Sequence, residues 1–332
     1  MREIETFTSP IGPIITRYLA MKRALGRRAV TMAYTFGYLD RFLASRQAAD
    51  LTRETFSAWA ESMASLHANT RRGRLRAVYR LCLFHRREHP HSFLPDPTQF
   101  PPQCPRRLPY IFSEADVVRL LATAEALAPH KASPLHCEVA RVGIAILYTM
   151  GLRRGELVRL TLNDYEKTDR VFHVRQSKFD KSRLVPLSVD TAMAVDRYLS
   201  ARRQIGAPHN GDAPLLVHNH GGRFRGYTGA AFGGLLRKVI RAAGIRNSRG
   251  RVPRVHDFRF TFAVQALLRW YRAGVDVQSR LPALATYLGH ASVVSTQYYL
   301  TFLQATAEAA SERFHTHSAP WLLHDSVQGG SR

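Results

Sequence analysis

Four short stretches after the first third of the chain hold groups able to do chemistry. Tyr148 to Leu160 reads Y-T-M-G-L-R-R-G-E-L-V-R-L, with Arg153 just past a glycine. S-K-F-D-K-S-R carries Lys178. H-D-F-R-F-T-F-A, residues 256–263, sets His256 and Arg259 three apart, the spacing that shares one helix face. Y-L-G-H-A-S-V-V-S-T-Q-Y-Y, residues 287–299, joins His290 to the doublet Tyr298–Tyr299. Arginine, lysine and histidine are the side chains that donate to oxyanions. A tyrosine hydroxyl, with a pKa near 10, is a weak nucleophile that nearby cations activate by favouring its phenolate. Taken singly, each stretch also has an ordinary reading: a surface arginine, a solvated H-x-x-R pair, a helix-capping Gly-His, a core tyrosine. No His, Cys, Asp or Glu cluster has metal-ligand spacing and no glycine-rich loop cradles a phosphate, so neither a metal nor another cofactor is expected.

The surrounding patterns predict how these groups are positioned. An apolar helix over Val142–Met150 stops at Gly151, and Arg153 falls on the turn before the next helix. Packing on both sides of that junction would fix the arginine. V-F-H-V-R-Q, residues 171–176, alternates as a strand, and R-L-V-P-L, residues 183–187, reads as its partner. The turn between them carries Lys178. This is the single β-flavoured island in a domain that is otherwise helical, opened by Ser113 as a helix cap.

The N-terminal part reads as four helices. Ile11, Ile14, Ile15, Tyr18 and Leu19 make one apolar stripe, and Tyr34, Tyr38 and Phe42 step by four along a second helix. Thr52 or Ser57 caps a third around Phe56, Trp59 and Met63. The fourth, residues 70–87, has Leu75, Val78, Tyr79, Cys82 and Leu83 as its stripe. Arg71, Arg72, Arg74, Arg76, Arg80, Arg86 and Arg87 decorate the remainder. A basic helix with few acids to pair with is a natural DNA reader, so Arg71, Arg72, Arg74, Arg76 and Arg80 are the expected DNA-binding residues. The expected division is a helical domain over 1–95, a Pro-rich linker over 96–110, a larger domain over 111–318 and a tail over 319–332 containing Trp321-Leu322-Leu323.

Lys and Arg total 48 against 25 Asp and Glu, a net charge of +23 over 332 residues. An excess of that size calls for a polyanion, most commonly nucleic acid. No apolar run is long enough to span a membrane, and the N-terminus lacks the apolar core of a signal peptide. Three cysteines without C-x-x-C spacing suit a reducing compartment. A cytoplasmic, nucleoid-associated protein with no membrane partner is expected.

Together and in this order, the four stretches resemble the tyrosine recombinases, or phage integrases. G-L-R-R-G-E-L-x-x-L matches the first box of that family, the Lys178 turn its β-hairpin lysine, H-x-x-R its second box, and L-G-H with a tyrosine nine residues on its last. The resemblance spans essentially the whole chain. It implies a mainly α fold with a small β-hairpin: a SAM-like core-binding domain and a larger α+β catalytic domain that form a clamp around DNA. It implies DNA cleavage and rejoining through a 3′-phosphotyrosine, without metal or nucleotide. Tyr299 is then the nucleophile. Arg153 and Arg259 hold the non-bridging oxygens, His256 and His290 donate to the phosphate, His256 helps take the tyrosine's proton, and Lys178 protonates the leaving 5′-oxygen. The implied partner is double-stranded DNA with a specific crossover site, bound by two protomers per site and four per synapse, or by a hetero-assembly with sister recombinases. Phe260 stands where the family often has His or Lys. The long Arg259–His290 interval resembles members from transposons and other mobile elements, which implies integration, excision or transposition. A type IB topoisomerase shares the chemistry but typically has Lys in place of His256. A DNA-binding accessory protein that has lost catalysis is the remaining alternative. For the doublet, two arguments choose Tyr299. Tyr298 is in step with Val294 and Phe302, which suits a core residue, and Tyr299 has the family's spacing from His290.

Overall fold

The computed structural model of the chain describes residues 6–27, 29–105, 107–128, 133–175, 182–290 and 292–302. Two compact units divide it, Met1–Arg107 and Leu108–Arg332. Lys178, and the tail with Trp321-Leu322-Leu323, lie outside the described residues.

The first unit contains α1 (Gly12–Ala24), α2 (Val30–Ser45), α3 (Arg53–Glu61) and α4 (Ala68–His85). Ile15, Tyr18, Phe36, Leu39, Leu43, Trp59, Leu75, Val78 and Leu81 form its core. Thr52 caps α3 through a reciprocal bond with Thr55. Asp40, buried inside α2, accepts bonds from the backbone and hydroxyl of Ser9 and so pins the N-terminal segment. The face of α2 differs from the tyrosine stripe expected. Phe36, Leu39 and Leu43 are buried, whereas Tyr34 and Tyr38 are exposed. Two stripes at helical spacing competed, and the one without hydroxyl groups won because it desolvates at less polar cost. Tyr38 instead carries the guanidinium groups of Arg41 and Arg74 over its ring, at 5.0 and 4.8 Å. On α4 the stripe turns by one residue: Leu81 is buried and Leu83 exposed. In the Pro-rich stretch after α4, Phe100 is buried against Phe56 and Tyr79 and the backbone at Pro101 accepts from Arg72, whereas Leu108 is exposed.

The second unit begins with α5 (Glu114–Glu125), capped by Ser113 and Asp116 in a reciprocal pair, then α6 (His136–Met150) and the short α7 (Arg154–Leu157). Next come β1 (Tyr165–Glu166), β2 (Val171–Val174) and β3 (Arg183–Pro186), one antiparallel sheet in which Val174 lies opposite Arg183. Helix α8 (Val189–Gln204) leads to β4 (Val217–His220) and β5 (Arg223–Gly226), a second hairpin that corrects the expectation of a single β island. Its strands are polar and short, so alternation is faint. The legible signal is Gly221-Gly222, both at positive φ (58° and 77°), the requirement of a tight hairpin turn. Helices α9 (Gly229–Ala242), α10 (Asp257–Arg272), α11 (Val277–Leu288) and α12 (Val294–Gln297) complete the described elements. Helix α6 is the centre, burying Val139, Val142, Ile146, Leu147 and Met150. Phe112 stacks on Phe258 at 4.3 Å and its N–H donates to Thr261, which fixes the start of α10 against the start of the unit. Among the described residues, no helix is long and apolar enough to cross a membrane.

Candidate active site

The site forms where three helix ends meet. Helix α6 ends at Gly151 in the left-handed region, φ 59°, and a Cβ there would lie 2.6 Å from the Phe262 ring. Only glycine satisfies both conditions. The turn it makes delivers Arg153 to the N-cap of α7. Helix α11 ends at Gly289, also left-handed at φ 64°, where a Cβ would fall 2.9 Å from the Arg183 guanidinium. His290 follows at once. Helix α10 starts at His256 and brings Arg259 in on its first turn.

The arginines are locked by backbone carbonyls and one carboxylate. Arg259 is 1 % exposed and donates to Gly151 O at 2.8 Å and Leu288 O at 2.5 Å. It thereby ties the ends of α6 and α11 together. Arg153 donates to Gly289 O at 2.8 Å and to Glu156 Oε1 at 2.6 Å. Glu156 is buried and also receives Arg183, at 2.9 Å on Oε2, while Arg183 donates to Tyr287 O at 2.7 Å. Burial alone would raise the Glu156 carboxyl, but bonds and charge from Arg183, then Arg153, hold it down at about 2. A guanidinium has five donors, so Arg153 and Arg259 keep N–H groups for an anion.

Tyr299 is 3 % exposed, its ring stacked with His290 at 5.9 Å and 19° and meeting the Phe260 edge at 5.1 Å. Tyr298 is only half-buried, touching Phe260 and Phe302 edge-on. The helical-stripe argument for Tyr298 as the core tyrosine is therefore overturned. Helix α12 stops at Gln297, and the turn after it sends Tyr299 inward to the arginines. Burial raises the Tyr299 phenol above its ordinary 10, although the charge and hydrogen bonding of Arg259, and the charge of Arg153, pull the other way. The cations thus offset desolvation without overcoming it, and the phenol is protonated at neutral pH. His290 is pushed down to about 4 by burial and then by Arg259, Arg153 and Arg183. Surrounding protein, and then Arg259, likewise push His256 to about 4. Its residue surface is nevertheless open to solvent, which weakens the share due to burial. Both imidazoles are neutral at pH 7, the form that can accept a proton.

Arg153, Arg259, His290 and Tyr299 are thus gathered in one place, with His256 close enough to feel both arginines. Lys178 lies outside the described residues, in the chain between β2 and β3, and Arg183 of β3 is anchored in this site. Of the five arginines expected on DNA, Arg76 and Arg80 are exposed. Arg71, Arg72 and Arg74 are half-buried, with Arg72 bound to Pro101 O at 2.6 Å and Arg74 over Tyr38. Three contributors were missed from sequence: Glu156, Arg183 and Thr296. The Glu156 signal was its place three residues after Arg153, a capping-box spacing. Thr296, fully buried, meets His290 Nδ1 at 2.8 Å. Among the described residues, no group of three or more His, Cys, Asp or Glu is placed to hold a metal.

Residues 111–305 match the sequence model described as "Phage integrase family". The chain is 33% identical to the putative integrase/recombinase y4rB of Sinorhizobium fredii, covering 86% of this chain and 91% of that protein. It is 33% identical to y4rE of the same organism, over 92% and 96%. Tyrosine recombinase XerD of Caulobacter vibrioides is 31% identical over 85% and 88%. Among solved structures, XerH recombinase bound to a palindromic difH substrate overlays with a TM-score of 0.61 at 16% identity, over 95% of this chain and 92% of that one. The Tn1549 transposon integrase in complex with transposon right end DNA overlays at 0.60 with 19% identity, over 90% and 98%. These two likenesses support a fold that is mainly helical with small antiparallel sheets.

Proposed function

The chain belongs to the phage integrase family and is a tyrosine-type site-specific recombinase; from that premise we propose how its residues act on DNA. The convergence of Arg153, Arg259 and His290 on the buried Tyr299 carries the reading.

Tyr299 Oη attacks the scissile phosphorus, and the P–O5′ bond breaks as the P–Oη bond forms. The products are a 3′-phosphotyrosine and a 5′-hydroxyl. Because Tyr299 starts protonated, its proton needs an acceptor, and neutral His256 takes that role. Lys178 supplies a proton to the leaving 5′-oxygen. Arg153 and Arg259 hold the non-bridging oxygens, whose charge rises in the transition state, and His290 donates a further hydrogen bond. The locked guanidinium groups would lose little freedom on binding, which favours the transition state through preorganisation. Rejoining runs the same step backwards with a partner strand's 5′-hydroxyl, so no bond energy is lost.

The substrate is duplex DNA with a specific crossover site, gripped electrostatically by a chain of net charge +23. In the first unit, exposed Arg76 and Arg80, with Arg74 and Arg41 over Tyr38, supply the basic contacts. Two protomers occupy each site and four make the synapse, or sister recombinases share it. The biological reaction is movement of a mobile element, a reading supported by the long Arg259–His290 interval. A nicked suicide duplex that traps the covalent adduct tests the chemistry. An adduct mapped to Tyr299 supports it, and tight binding without adduct contradicts it.

A further inference from the structure

His290 has a partner that the reaction scheme leaves unused. Its Nδ1 lies 2.8 Å from the Thr296 hydroxyl, and Thr296 is 0 % exposed. The two residues sit on different elements. His290 closes α11, its N–H donating to Ala285 O at 2.8 Å. Thr296 belongs to α12, and its own carbonyl accepts the Tyr299 N–H at 2.9 Å. The group that touches His290 is therefore part of the turn that presents the nucleophile.

A neutral imidazole exists as two tautomers, and the bond at one nitrogen selects the state of the other. If Thr296 donates to Nδ1, Nε2 carries the proton and can donate to a phosphate oxygen. If Thr296 accepts, Nε2 offers a lone pair that repels the same oxygen. Burial, and then the charges of Arg259, Arg153 and Arg183, disfavour the imidazolium that would donate from both nitrogens. The buried hydroxyl proton also needs an acceptor, and Nδ1 lies within reach.

We infer that Thr296 is a positioning residue, which donates its hydroxyl proton to His290 Nδ1 and so holds the Nε2–H tautomer ready for the scissile phosphate. Through it, docking of the Tyr299 turn sets the histidine in its donating state. Nucleophile and oxyanion donor are then assembled in one event, so a site whose Tyr299 turn is undocked lacks both. The inference rests on the recombinase chemistry proposed above.

The test compares wild type with Thr296→Val and Thr296→Ser, using full-length protein at saturating concentration on a nicked suicide duplex. Thr296→Val keeps shape and removes the donor. Loss of one hydrogen bond to the transition-state assembly slows adduct formation about tenfold. Thr296→Ser restores the rate to within about twofold, and DNA affinity is unchanged across the three. In wild type, the ¹⁵N shifts of His290, assigned by comparison with His290→Ala, show an unprotonated Nδ1 and a protonated Nε2. Equal rates for wild type and Thr296→Val overturn the inference, as does a serine variant no faster than the valine one. Should the valine variant fail to fold, a wild-type spectrum showing Nδ1–H still overturns it. Failure of the underlying reading looks different: wild type then forms no Tyr299 adduct, whatever the tautomer.

Discussion

Glu156 shows how much of the site depends on a residue that need never meet the substrate. One buried carboxylate holds Arg153 and Arg183, and Arg183 in turn grips the end of α11. Removing the charge from such a cluster leaves two guanidinium groups without their counter-charge. Glu156→Gln is expected to cost about 3 kcal/mol of stability, measured by chemical denaturation, and to slow adduct formation by weakening the hold on Arg153. Acid should act on the same bond. The Glu156 pKa is lowered to about 2 from an ordinary 4.5, so its contribution is intact above about pH 4.5 and is lost as pH falls towards 2. That contribution amounts to about 3 kcal/mol, and the glutamine variant should lack this part of the acid limb. Arg153, Arg259, His256 and His290 could be named from sequence because short motifs fix their spacing. Arg183 could not, since its partners are 27 residues away at Glu156 and 104 away at Tyr287, a separation no local pattern encodes.

At the scale of elements, glycine turns do the positioning. A methyl on Gly151 meets both a disfavoured left-handed φ and the Phe262 ring, so Gly151→Ala should cost at least about 1–2 kcal/mol in denaturation and disturb Arg153 and Arg259 together. The end of α6 at Gly151 was readable because one residue type satisfies that turn. The face of α2 was not, because the tyrosine stripe and the Phe36–Leu39–Leu43 stripe share the helical period and only tertiary packing chooses between them. The inward course of Tyr299 was likewise hidden by the early stop of α12. Helix α4 was legible as a basic helix, yet its arginines divide. Arg76→Ala with Arg80→Ala, both exposed, should weaken DNA binding and flatten the slope of log K against log salt, by about 0.9 for each phosphate no longer neutralised. An unchanged slope in a salt titration would remove these two from the DNA interface.

For the whole molecule, a net charge of +23 favours encounter with a polyanion such as DNA. Binding should fall steeply between dilute and physiological salt, and crosslinking on a full crossover site should trap two protomers. The central claim is that Tyr299, buried among the arginines, is the nucleophile, while its half-buried neighbour Tyr298 is structural. Trapping the covalent adduct on a nicked suicide duplex with Tyr299→Phe and Tyr298→Phe tests it most directly. The adduct should vanish in Tyr299→Phe with DNA binding intact and persist in Tyr298→Phe; an adduct that survives loss of the Tyr299 hydroxyl, or is lost only with that of Tyr298, would contradict the account.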